Sequence, residues 1–157
     1  MSDVAEAAEV GVGTLYRRFG DRAGLAYALL DEREREFQVA FLYGSPPLGP
    51  GASPVERIRA FLHAWADELE EYIELMFMAE TASPGTRYQS GAYQAHRAHV
   101  SALVREARPD ADAEYLAEGL LAPLAADIYL HQRRERGMNV ERIKAGLDDL
   151  MRCLADA

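Results

Sequence analysis

From Ser53 onward, apolar residues return at steps of three and four and divide the chain into helices. Val55, Ile58, Phe61, Leu62, Trp65, Leu69 and Tyr72 form one stripe, the spacing of an amphipathic helix. Ser53-Pro54-Val55-Glu56 opens it with an N-cap serine, a proline at the first helical position and a glutamate at the third, the capping-box arrangement. Ile73 to Met78 is apolar nearly all round, which predicts deep burial. Ser83-Pro84-Gly85 ends the helix. Tyr88 to Ala107 reads as another, with Ala92, Tyr93, His96, Val100, Leu103 and Val104 inward. Pro109-Asp110 breaks it, and Asp112 caps a helix predicted from Ala113 to near Arg136, bent at Pro123. That helix bears Tyr115, Leu116, Leu120, Leu121, Leu124, Ile128 and Tyr129. Gly137 is a C-cap signal, and Asn139 caps a last helix on which Val140, Ile143, Leu147, Leu150, Met151 and Leu154 recur.

Upstream of Ser53 the pattern changes. Gly44-Ser45-Pro46-Pro47-Leu48-Gly49-Pro50-Gly51-Ala52 is a linker, since prolines lack donors and glycines lack constraint. Before it, Asp21 caps a long helix with Leu25, Ala28, Leu29, Phe37, Ala40 and Phe41 as its apolar positions. The middle of that helix, Asp31-Glu32-Arg33-Glu34-Arg35-Glu36, reads as a solvated face with i,i+4 pairs. No strand alternation competes with these readings, so the predicted fold is all-α.

Ser2 to Leu30 is the stretch where order and spacing converge. Ser2 and Asp3 read as N-caps of a short Ala-rich helix over Val4-Ala5-Glu6-Ala7-Ala8. Glu9-Val10-Gly11 breaks it, and Val12-Gly13-Thr14-Leu15-Tyr16-Arg17-Arg18-Phe19 resumes helical spacing. Val4, Ala8, Val10, Leu15 and Phe19 form the predicted buried seam. Two short helices joined by a tight turn are the unit that sets a second helix in the DNA major groove.

Val4-Ala5, Ala8, Val10, Gly13-Thr14-Leu15-Tyr16, Phe19 and Leu25 resemble the TetR family of one-component regulators, whose pattern is roughly Ile-Ala, Ala-Gly-Val-Ser, Gly-Thr-Leu-Tyr, His-Phe, Lys, Leu. The resemblance implies phosphate contacts at Thr14, Tyr16, Arg18 and Arg22, and base contacts at Val12, Gly13 and Arg17. It also implies a helix-turn-helix domain over residues 1–30 and a ligand-binding, dimerisation domain over 31–157. Four positions depart from the pattern. Glu9 stands at the turn glycine, Gly11 replaces the capping serine, and Arg18 and Arg22 replace the usual histidine and lysine. Family members also begin with an amphipathic helix that packs over the motif, whereas here Met1 directly precedes the second family helix. The expectation is an in-frame upstream segment of the Ile-Leu-x-Ala-Ala-x-x-Leu-Phe type; upstream stop codons would contradict it.

Composition narrows the classes. The 157 residues carry 17 basic and 26 acidic side chains, a net charge of −9, which argues against indiscriminate nucleic-acid binding. Arg17, Arg18 and Arg22 nevertheless cluster at the end of the recognition helix, and screening makes such local charge decisive. Apolar residues make up 49% and charged residues 27%, and no apolar run is long enough to span a bilayer. Cys153 is the single cysteine, so no internal disulfide forms; the expected location is cytoplasmic. Cys153 reads as a small buried side chain, with a redox sensor as the alternative.

No phosphate-cradling loop, cysteine cluster or nucleophile turn is present, so no enzyme chemistry and no cofactor are expected. His96 and His99 could share a metal or simply line a pocket or surface. Glu70, Glu71 and Glu74 read as a solvated face. Trp65, Tyr72, Met76, Phe77, Tyr88, Tyr93, His96, Leu120, Leu124 and Ile128 each fit a plain core role. As a set they predict a pocket for a small, apolar or aromatic effector. In the family the last two long helices pair with their symmetry mates, which implies a homodimer on a palindromic operator. Tyr115, Ile128, Ile143, Leu147, Leu150, Met151 and Leu154 are the expected interface; the alternative is that the final stripe covers its own core. Two readings follow: a ligand-responsive repressor, or a dimeric small-molecule-binding or interaction protein that has lost DNA binding.

Overall fold

The computed structural model describes residues 1–155, with side chains as far as Arg152. Every regular element among them is helical: α1 Ser2–Ala7, α2 Val12–Phe19, α3 Arg22–Tyr43, α4 Pro54–Glu80, α5 Thr86–Gln89, α6 Gly91–Ala107, α7 Ala113–Leu121, a 3-10 turn over Ala122–Leu124, α8 Ala126–Arg134 and α9 Val140–Ala155. The chain is therefore all-α, as its periodicity predicts. Helix α4 is the axis of the body, packed against α3, α6, α8 and α9.

Local chemistry sets several boundaries. Ser53 Oγ accepts from the Glu56 amide and Glu56 reaches back to the Ser53 amide at 3.0 Å, the reciprocal box that starts α4. Asp21 Oδ1 accepts from the Gly24 amide at 2.8 Å and starts α3. Two helices expected to be continuous are broken. Ser90 caps α6 by accepting from the Tyr93 amide at 3.2 Å, separating it from α5. Pro123 stops α7 instead of bending it, and the chain tightens into a 3-10 turn before α8 begins. No local side chain caps α8. Its Ala126 amide donates to the Glu80 carboxylate of α4 at 2.8 Å, a cap delivered from 46 residues away.

One core holds the body. Ile58, Phe61, Leu62, Leu69, Val100, Val104, Leu121, Leu124 and Tyr129 are essentially inaccessible to solvent. Tyr129 Oη donates to the Ala66 carbonyl at 3.2 Å and to Glu70 at 2.8 Å, which gives a buried hydroxyl its partners. Glu70, Glu71 and Glu74 are exposed, the solvated face their spacing suggests, and Glu70 and Glu74 also ion-pair with Arg133 and Arg134 to tie α4 to α8. Ile73 to Met78 is less buried than its composition predicts. Only Met76 is buried there and Met78 is exposed, beyond a departure of α4 from helical geometry at Tyr72 (φ −119°, ψ 19°).

The final helix corrects another expectation. Ile143, Leu147 and Met151 are buried against their own chain, in the same cluster as Ile58 and Leu62, and are unavailable as a dimer face. Asp148 locks that packing by accepting from Arg59 at 2.7 Å and contacting His63 at 2.8 Å, while Lys144 reaches Asp67 at 2.6 Å. Tyr115, Ile128 and Leu150 are exposed. The side chains of Leu154 and Cys153 lie outside the described residues.

His96 and His99 sit among aromatic rings, at 4.4 Å from Trp65 and 4.4 Å from Phe41 respectively. Burial, with Arg57 and His96 nearby, pushes the His99 imidazole down to about 4. A depressed histidine stays neutral in the folded chain while the unfolded chain takes up a proton, so stability falls as pH drops from about 6.5 toward 4. The denaturant stability of the parent relative to His99→Leu is expected to fall as the pH drops across that window. A difference that does not change with pH would contradict this.

Candidate functional site

The DNA-reading motif is built from a second, smaller cluster: Met1, Ala5 and Leu15 are buried, with Phe19 and Leu25 packed against them. The seam differs from the predicted one. Val4 and Val10 are 44% and 42% exposed, Ala8 is exposed too, and Met1 fills the space beside Leu15. Ser2 and Asp3 make no cap, because the helix already starts at Ser2 and Met1 is its N-cap residue.

Helix α1 ends in a Schellman turn. The Val10 amide bonds the Ala5 carbonyl at 3.0 Å, the Glu9 amide bonds the Glu6 carbonyl at 3.1 Å, and Glu9 takes a left-handed φ of 53°. That conformation favours glycine, which explains why the resembling pattern has glycine there. Gly11 precedes α2 without a side-chain cap.

Helix α2 buries only Leu15. Val12, Gly13, Thr14, Tyr16, Arg17 and Arg18 all face solvent, so one side chain anchors the helix and the rest of its surface is open. Arg17 reaches back to Thr14 Oγ1 at 3.5 Å, and the Arg18 guanidinium lies 5.5 Å from the Phe19 ring centre. Gly20 (φ 78°) turns the chain so that exposed Arg22 opens α3 immediately beyond. Among the described residues, Arg17, Arg18 and Arg22 pair with no carboxylate. Three cations about the junction of α2 and α3 supply the local positive charge that phosphate contact requires, despite the overall −9. Gly24 has a packing reason that spacing could not reveal. A Cβ there would meet the Phe19 carbonyl oxygen at 2.0 Å, so its absence lets α3 cross tightly over the end of α2.

Helix α3 continues without a break into the body, where its middle, Tyr27 to Gln38, walls a partly open cavity of about 670 Å3 lined also by α4, α5 and α6. That size suits a small molecule. Of the ten residues expected to line a pocket, Trp65, Met76, Tyr93 and His96 do so. The other six lie elsewhere. Leu120 and Leu124 are buried core, Ile128 and Tyr88 are exposed, and Phe77 is half-buried against the core. Tyr72 sits at the α4 kink under the Arg33 guanidinium, 5.3 Å away.

The remaining walls are polar, which an aromatic and methionine count did not foresee. His96 Nε2 is 3.0 Å from Glu34, which also accepts from Gln38 at 2.7 Å. Arg33 pairs with Glu68 at 3.1 Å, and Arg87 pairs with Glu80 at 3.4 Å while donating to the Leu121 carbonyl. Burial pushes the carboxyls of both Glu68 and Glu80 up. Arg87 is itself buried, stacked 4.5 Å from the Tyr93 ring centre. Among the described residues, no three His, Cys, Asp or Glu side chains are grouped to hold a metal ion, and no helix is long and apolar enough to cross a membrane.

An exposed second helix ending in Arg17 and Arg18, with Arg22 opening the next helix, and joined through a tight turn to a short first helix, has the form of a helix-turn-helix. Residues 1–29 match the family model described as bacterial regulatory proteins, tetR family. Over that segment the chain is similar to the TetR family of DNA-binding transcriptional regulators. No curated protein and no solved structure matches the chain.

Proposed function

We propose that the chain is a ligand-released repressor, homodimeric on a palindromic operator, in which α3 is the lever between ligand and DNA. The observation that carries this is the continuity of α3. Its first turn holds Arg22 and Gly24 against the reader, and its middle presents Tyr27 to Gln38 to the cavity. A ligand that prefers one tilt of α3 shifts the population of reader spacings, and by linkage ligand and DNA then weaken each other's binding. The cavity is the effector site in this reading. With Ile143, Leu147 and Met151 consumed by the core, the copies meet through exposed Tyr115, Ile128 and Leu150 and the open, small-residue surface at Gly119, Ala145 and Gly146. Residues 1–30 act as the reader and the remainder as the sensor.

The residue roles are separable in binding titrations. Tyr16→Phe and Arg22→Ala are expected to weaken binding equally on all sequences and to lower the salt dependence, as phosphate contacts do. Arg17→Ala is expected to relax preference at one base position, at about 1–3 kcal/mol. A neutral Arg17→Ala removes its assigned role. One observation favours the second reading, a dimeric binding protein without DNA activity: Glu9 puts both a left-handed non-glycine residue and a negative charge into the turn of the motif. Specific binding by the chain with Glu9 in place would dismiss it.

A further inference from the structure

The walls of the α3–α4–α6 cavity have their charges accounted for but not their hydrogen-bond donors. Asp31 is paired with Arg35, Glu34 with His96, Glu68 with Arg33, and Glu80 with Arg87. Four carboxylates therefore face three guanidiniums and an imidazole, and each already has a partner. An anionic ligand finds no spare positive charge there, and a cationic one finds no unsatisfied carboxylate.

The unmet groups are all of one kind. Tyr27 Oη and Arg33 Nε are buried and have no hydrogen-bond partner, and both residues line this cavity, whereas Arg87 Nε faces Glu80 at 3.4 Å. Each can donate, and buried donors normally find an acceptor. Trp65, Met76, Tyr93 and Leu30 supply apolar wall beside them. From these unpartnered donors within a charge-paired, partly aromatic cavity, we infer that the ligand is an uncharged molecule with an apolar body and a carbonyl-type acceptor, such as a ketone or ester. This rests on the cavity being the effector site and names what that site selects.

The test uses four probes of matched size on the full chain: 4-phenylbutan-2-one, butylbenzene, 4-phenylbutanoate and 4-phenylbutylammonium. Occupancy is read from the emission of Trp65, the only tryptophan and a wall residue, and checked calorimetrically. The ketone is expected to bind about tenfold more tightly than each of the other three, the effect of one or two hydrogen bonds. Tyr27→Phe is expected to weaken the ketone about fivefold and leave butylbenzene unchanged. Equal binding of butylbenzene, tighter binding of either charged probe, or no binding by the ketone would each overturn the inference. Operator anisotropy in the same titrations separates it from the reading beneath it. A ketone that binds with this preference yet leaves DNA binding unaltered preserves the ligand class and refutes the effector role.

Discussion

Leu15→Asp is expected to abolish specific DNA binding while leaving the body folded. Leu15 is the only buried residue of α2, and its partners Met1 and Ala5 complete a cluster distinct from the main core. An unpaired carboxylate in that site, added to the lost leucine, costs about 3 kcal/mol or more, and so small a cluster has little to set against it. Helices α1 and α2 should then melt, with a matching loss of far-ultraviolet ellipticity, while Trp65 in the body reports an unchanged main transition. Retained binding would show that α2 is not anchored by Leu15. Loss of the Trp65 transition would show that reader and body fold as one.

Glu80→Ala is expected to be the more damaging change for the body. Glu80 faces the buried Arg87 at 3.4 Å and accepts the first free amide of α8 at 2.8 Å, so its removal strands a guanidinium and uncaps a helix together. Breaking a buried pair from one side costs about 3 kcal/mol or more, which for a domain of this size lowers Tm by about 6–12 °C. Glu80→Gln keeps an oxygen for the Ala126 amide. Because burial already disfavours the charged carboxyl, that variant should lose only about 1–2 kcal/mol. Equal losses for both variants would mean that charge, not capping, dominates.

Much of the architecture is legible because it depends on neighbours in the chain. The Ser53–Glu56 box, the Asp21 cap and the stripe from Ile58 to Leu69 are local or periodic, and their residues do in the fold what their spacing predicts. The failures have a shared cause. The stripe of Ile143, Leu147 and Met151 requires an apolar partner, yet its periodicity is the same whether that partner is α4 of its own chain or a second copy. Arg33 and Glu34 look solvated in a mixed-charge run, and only the placement of α6 and α4 opposite makes them cavity walls. Arg87 and Glu80, on either side of the Ser83-Pro84-Gly85 turn, carry no sequence signal of the pair they form. In the reader, Glu9 shows in sequence only as a missing glycine, while its φ of 53° supplies the reason a glycine is favoured there.

The most direct test of the central claim is fluorescence anisotropy of the full chain against duplexes taken from the DNA flanking its own gene, with a scrambled duplex of equal length, at two salt concentrations. The account predicts binding to one palindromic site at least about 10³-fold tighter than to the scrambled duplex, weakening with salt as Arg18 and Arg22 release counterions from phosphate. Equal affinity for both duplexes, from a chain whose Trp65 emission shows a folded body, would contradict it.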